Sequence, residues 1–182
     1  MLIRTVDLQD EPLAFDVVLP PQGIEYAPDV RQAGPLGVKG QADLIVEHRG
    51  PKEFVEDIRL RAGYDGNFEL LCARCLEPVP QHLRGEFDLI FRPESADVEA
   101  GERAITEEET EIGYYGKSGL LLEDVVREQV LLALPSRTLC QQSCKGLCQS
   151  CGHNLNSGDC GCEVVADPRW NALAGLAGKL QN

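Results

Sequence analysis

Apolar and polar residues alternate along much of the first half of the chain. Ala42, Leu44 and Val46 face one way against Asp43 and Glu47, and Ile58, Leu60 and Ala62 repeat the pattern against Asp57, Arg59 and Arg61. A period of two is the mark of a half-buried strand. Phe68, Leu70 and Cys72 continue it, and Phe87, Leu89 and Phe91 mark another strand over residues 79–91. Between Ala62 and Phe68, Tyr64-Asp65-Gly66-Asn67 predicts a hairpin turn, because Asp-Gly between alternating runs suits a tight reversal. Residues 1–8 and 13–19 read as strands or sheet edges, and the Gly- and Pro-rich stretch from Gln22 to Gly40 reads as loop. The period then changes. Leu122, Val125, Val126, Val130 and Leu134 fall on one face of a helix predicted over Glu123 to Leu134, acidic in its first turn and stopped by Pro135. A second helix is predicted from Asp167-Pro168-Arg169-Trp170, with Asp as N-cap and Pro at its first position. Trp170, Leu173, Ala177 and Leu180 recur along one face, which suits docking onto the rest of the protein. The fold class is therefore α+β: an antiparallel sheet, two helices and a Cys-rich C-terminal lobe.

Six of the eight cysteines crowd into that lobe, at 140, 144, 148, 151, 160 and 162, and the other two form the pair Cys72-Ala-Arg-Cys75. The N-terminus has no basic segment followed by an apolar run, so a cytoplasmic protein with reduced thiols is expected. The longest apolar run, Val130 to Leu134, is too short for a membrane span. Clustered thiols in a reducing compartment point to zinc. Cys148-Gln-Ser-Cys151-Gly has the spacing of a zinc knuckle, with two residues between the thiolates and a glycine to relieve the turn. Cys160-Gly-Cys162 supplies a second pair after a loop rich in turn formers, including Asn154, Asn156, Ser157 and Gly158. Cys140 and Cys144 are left without local partners, as are Cys72 and Cys75. Joining them gives a second four-thiolate site and two zinc ions per chain. A different set, Cys140, Cys144 and Cys148, would share a face if that stretch were helical, but Gly146 argues against an unbroken helix. His153 reads as a surface loop residue, since eight cysteines already fill two sites.

Charge is unevenly spread. The chain carries a formal −13, and residues 135–182, with Arg137, Lys145, Arg169 and Lys179 against three acidic residues, stand near +1. The strongly negative part before them will not hold nucleic acid by bulk attraction, which rests on basic residues meeting phosphates. Residues 94–111 hold eight acidic residues and one Arg and read as a solvated, flexible loop. The regions are then a β-rich part at 1–93 with the first Cys pair, the acidic loop at 94–111, a core helix region at 112–134, and a zinc-binding lobe with terminal helix at 135–182.

Five motifs in order, Cys72-Ala-Arg-Cys75-Leu, Leu-Ala-Leu-Pro at 132–135, Cys144-Lys-Gly-Leu-Cys148, Cys151-Gly-His-Asn-Leu-Asn156 and Asp167-Pro-Arg169, resemble the YceD family from the first strands to the last helix. That resemblance implies a non-enzymatic role in accumulation of large-subunit ribosomal RNA. Its partners would be that RNA or pre-ribosomal particles, reached through a basic ribosomal protein. Members of the family differ in their C-terminal cysteines, so the second zinc site would not carry the shared role. Gly119-Leu-Leu-Leu122 departs from the family at the start of the core helix, where a polar or acidic residue is more usual. Lys145, Arg169 and Lys179 are the candidate RNA or partner contacts. No phosphate loop, nucleophile elbow or His-Glu-x-x-His is present, and no catalytic residues are assigned. Two other classes remain open. One is thiol–disulfide chemistry at Cys72 and Cys75, although such pairs usually open a helix and this one follows a strand. The other is a zinc-stabilised interaction module unrelated to RNA.

Overall fold

A computed structural model describes residues 1–50, 53–97, 112–163 and 169. Its strands are β1 (Leu2–Ile3), β2 (Leu13–Leu19), β3 (Val30–Gln32), β4 (Leu36–Gly50), β5 (Glu53–Leu71), β6 (Pro78–Pro93), β7 (Ile112–Tyr115) and β8 (Leu120–Leu121). One α-helix, α1 (Leu122–Ala133), follows them. The main sheet has the order β2-β4-β5-β6-β7, with β3 paired to the far end of β5. Every pairing in it is antiparallel except β6 with β7, which run parallel from Ile90 opposite Ile112. The second predicted helix lies outside the described residues apart from Arg169, so one α-helix stands among those described. Most of the acidic loop also lies outside them.

The alternation sets the layering. Leu36, Val38 and Ala42 on β4, and Ile58, Leu60, Ala62, Tyr64 and Phe68 on β5, turn to one face, which α1 covers with Leu122, Val125, Val126 and Val130. Phe87, Leu89 and Phe91 on β6 join the same cluster. The opposite face carries cross-strand ion pairs, Lys39 with Asp16, Arg61 with Asp43 and Arg59 with Asp88.

Two expectations fail here. The predicted hairpin at Tyr64 to Asn67 does not form: β5 runs straight through it, with Asp65 opposite Arg84 and Gly66 opposite Leu83. Gly66 is there because Leu36 lies across it. A Cβ at Gly66 would stand 2.7 Å from the Leu36 side chain. The glycine therefore serves close packing inside a strand, a role that sequence shares with turn formation. The stretch from Gln22 to Gly40 is not all loop, since β3 and the first residues of β4 lie within it and pair with β5 and β2. Parallel β7, beginning at Ile112, was not expected either.

The helix is where the sequence places it. Leu121, its N-cap, is apolar and makes no side-chain cap bond. Strand β1 supplies what is missing: it pairs with β8, the Leu122 N–H donates to the Met1 carbonyl at 3.0 Å, and the Met1 amine meets Glu123.

Candidate metal centres

Strand β5 delivers Cys72 into a tight turn before β6. The Cys72 N–H donates to the Glu77 carbonyl at 2.9 Å and the Leu76 N–H to the Cys72 carbonyl at 2.9 Å. Leu76 pays for this turn with a left-handed φ of 60°, a conformation that costs a side-chain-bearing residue roughly 1–2 kcal/mol. After α1 the chain passes beside this turn. The Ala73 N–H donates to the Thr138 carbonyl at 2.8 Å and the Leu147 N–H to the Arg74 carbonyl at 3.1 Å. The Arg74 guanidinium donates to the carbonyls of Cys144 at 2.7 Å and Gln142 at 3.3 Å.

These contacts gather Cys72, Cys75, Cys140 and Cys144, whose sulfurs all lie within 4.8 Å of one another. Cys72 and Cys144 are 3.8 Å apart at sulfur, and Cys75 and Cys140 are 3.6 Å apart. A disulfide needs about 2.05 Å. A tetrahedron of four sulfurs about 2.3 Å from a central zinc has edges of about 3.8 Å. The spacing suits a metal and excludes two formed disulfides. Cys72, Cys75 and Cys144 are buried and Cys140 is exposed.

Cys148, Cys151, Cys160 and Cys162 form a second set, also within 4.8 Å. The knuckle is built as its spacing requires: the Gly152 N–H donates to the Cys148 carbonyl at 2.9 Å, and Gly152 takes a φ of 73°. Cys151 and Cys162 are exposed and the other two half-buried. The alternative helical trio is not formed. Gly146, at φ 80°, interrupts the chain between Cys144 and Cys148, and those two cysteines belong to different sets. His153 is exposed and lies in neither set.

Within each set the thiols pull in opposite directions. Backbone N–H groups, that of Cys140 first and then those of Arg74 and Cys75, draw Cys72 down to about 6. The Asn156 amide, followed by the Gly146 N–H, lowers Cys144. Cys140 is pushed up to about 12 by partial desolvation among its neighbours and by the crowding sulfurs of Cys144, Cys75 and Cys72. In the second set the N–H groups of Cys151 and Ser150 draw Cys148 down to about 6, while the sulfurs of Cys151 and Cys160 and then burial push Cys162 up to about 12. Four thiolates this close repel one another, and a divalent cation among them removes that repulsion. Two four-sulfur sets able to hold metal ions are thus in place.

Of the candidate contacts, Lys145 and Arg169 are exposed and Lys179 lies outside the described residues. Asn156 is a site residue that spacing read only as a turn former: its Nδ2 donates to the Cys144 sulfur at 3.2 Å. No sequence signal separates an asparagine that makes a turn from one that also reaches a thiolate.

The described residues define a class of protein, an antiparallel-dominated sheet with one covering α-helix and two clasps of four cysteines. It belongs to the YceD family, whose model, described as large ribosomal RNA subunit accumulation protein YceD, matches residues 60–177. The match begins inside β5, so it covers less of the N-terminal strands than the motifs implied. An uncharacterized protein of Mycobacterium tuberculosis is 35% identical over 108 residues, covering 59% of this chain and 49% of that protein. An uncharacterized Mycobacterium leprae protein is 32% identical over 85 residues, covering 46% and 36%. A Zea mays protein named large ribosomal RNA subunit accumulation protein YCED homolog 1, chloroplastic, is 26% identical over 115 residues, covering 50% and 39%. The chain spans about half the length, or less, of these curated relatives. No solved structure matches it. No helix among the described residues is long and apolar enough to cross a membrane.

Proposed function

We propose that this protein is a non-enzymatic, zinc-binding ribosome biogenesis factor that supports accumulation of large-subunit ribosomal RNA. The observation that carries the reading is the family match over residues 60–177, which spans both cysteine sets and α1. Zinc is the metal that fits, because reduced cysteine sulfurs in a tetrahedral set of four are the donors of structural zinc sites. Closed on all four sides by protein ligands, such a site has no open position for chemistry. Its role is to fix the C-terminal lobe on the sheet, with all eight cysteines as ligands. The lobe then presents Lys145, Arg169 and Lys179 to a pre-ribosomal particle in the cytoplasm, while the acidic remainder of the chain repels free RNA and favours a basic ribosomal protein. Affinity for naked RNA is correspondingly weak.

Depletion of the protein in cells tests this. The expected result is a fall in large-subunit relative to small-subunit ribosomal RNA, with the tagged protein co-sedimenting with pre-ribosomal particles. An unchanged ratio together with no co-sedimentation would overturn the ribosomal role and leave a zinc-stabilised module of another pathway.

A further inference from the structure

The turn inside the second cysteine set reaches across to the first. Asn156 lies between Cys151 and Cys160 in sequence, yet its Nδ2 donates to the sulfur of Cys144 at 3.2 Å. Its Oδ1 accepts the Lys145 N–H at 2.8 Å, so one planar amide holds the Cys144 sulfur and the backbone just after it. The Gln141 amide approaches the same Oδ1 at 3.5 Å. Asn154 fixes the Asn156 amide in turn, its Oδ1 accepting from the Asn156 backbone N–H at 3.0 Å and from Nδ2 at 2.9 Å. The Leu155 N–H donates to the Gly146 carbonyl at 2.9 Å, and Leu147 bridges Asn154, which ties the turn to the segment between the two sets. Neither helix nor strand stiffens residues 152–159. Their shape is set by these bonds and by the cysteine pairs at either end.

A hydrogen bond to a metal-bound thiolate steadies its direction and disperses its charge, and such partners are worth about 10- to 100-fold in metal affinity. We propose that Asn156 is a positioning residue shared by both sites: metal at Cys148, Cys151, Cys160 and Cys162 sets the turn that holds the Asn156 amide on Cys144, so filling the second site tightens the first. By linkage, filling the first tightens the second by the same factor. This rests on the reading that both sets bind a divalent metal, and it goes beyond that reading by making the two sites one cooperative unit.

The test uses the full chain loaded with cadmium and read by cadmium NMR, with the first-site resonance assigned through its loss in Cys72→Ser. Asn156→Asp keeps the acceptor for Lys145 and removes the donor to sulfur, and Asn156→Ala removes both. In each, the first-site resonance is expected to move while the second stays. Release of first-site metal to a chelator should speed up by about 10- to 100-fold. Cys148→Ser, which breaks the second site, should also speed release from the first, and Gln149→Ala should change neither. An unmoved first-site resonance with unchanged release in both Asn156 variants would overturn the coupling. So would equal shifts of both resonances, because the Asn156 amide touches a sulfur of the first set alone. Fewer than two cadmium ions per wild-type chain would overturn the two-metal reading itself.

Discussion

Arg92 and Asp57 form a two-point ion pair inside the protein, Nε to Oδ1 at 3.1 Å and Nη2 to Oδ2 at 2.9 Å, with side chains 8% and 6% exposed. Truncating one partner of such a pair strands the other's charge away from water, at about 3–5 kcal/mol. Arg92→Ala is therefore expected to lower the unfolding free energy by about that amount. Arg59→Ala, whose pair with Asp88 stands in solvent, should cost far less, because water screens an exposed pair and both side chains stay solvated when it breaks. Chemical denaturation of the two variants checks this, and equal losses would contradict burial as the deciding factor.

Metal analysis of protein purified under reducing conditions is expected to give two zinc ions per chain. Cys72→Ser should lose one and leave the second set filled. Because structural zinc contributes folding free energy directly, the same variant should melt at a lower temperature. A stoichiometry of one that Cys72→Ser leaves unchanged would remove the first set from consideration.

In the metal-free, reduced protein at pH 7, Cys148 is expected to be alkylated before Cys162. Thiolate is the reactive form. Cys148, drawn down to about 6, is mostly thiolate at that pH, and Cys162, pushed up to about 12, keeps its proton. Exposure alone orders them the other way, since Cys162 is exposed and Cys148 half-buried. The linkage to folding follows the same signs. The lowered Cys148 thiol stabilises the metal-free fold above its ordinary value of 9.0, and that contribution fades as the pH falls through about 6. The raised Cys162 thiol stabilises it below 9.0, fading as the pH rises toward about 12. Timed alkylation read by mass spectrometry distinguishes the two orders, and Cys148 should lose its lead below its own titration range. Loading with zinc should slow both.

Replacing Lys145, Arg169 and Lys179 together with alanine is expected to reduce co-sedimentation with pre-ribosomal particles and to leave the zinc content at its wild-type value. Each phosphate contact removed should flatten the dependence of log affinity on log salt by about one unit. Unchanged sedimentation would move the contact surface away from the C-terminal lobe.

The sequence made the inner face of β5 and the stripe of α1 readable, because Ile58, Leu60 and Ala62, and Val125, Val126 and Val130, repeat at the periods that one-sided burial demands. The two sets of four cysteines were readable for a related reason: Cys148, Cys151, Cys160 and Cys162 can meet within one short loop. The other four sat together only by elimination, and the structure explains their meeting through the passage of Thr138 beside Ala73. Gly66 misled because a residue without a side chain serves a turn and a crowded strand equally well, and only the distant Leu36 decides between them. Asp57 was hidden for the opposite reason. Its place in the alternation assigns it to solvent, whereas Arg92, 35 positions away, holds it inside.

The Cys75 and Cys140 sulfurs, 3.6 Å apart in the fold, are 65 positions apart in the chain. A ribosome adding roughly 5–20 residues per second makes the first pair roughly 3–13 s before Cys140. Through that interval the β5–β6 turn holds one half of a four-sulfur set whose other half does not yet exist. The first set therefore closes only after every strand of the main sheet, which ends at Tyr115, has been made, and a chain truncated before Cys140 cannot assemble it.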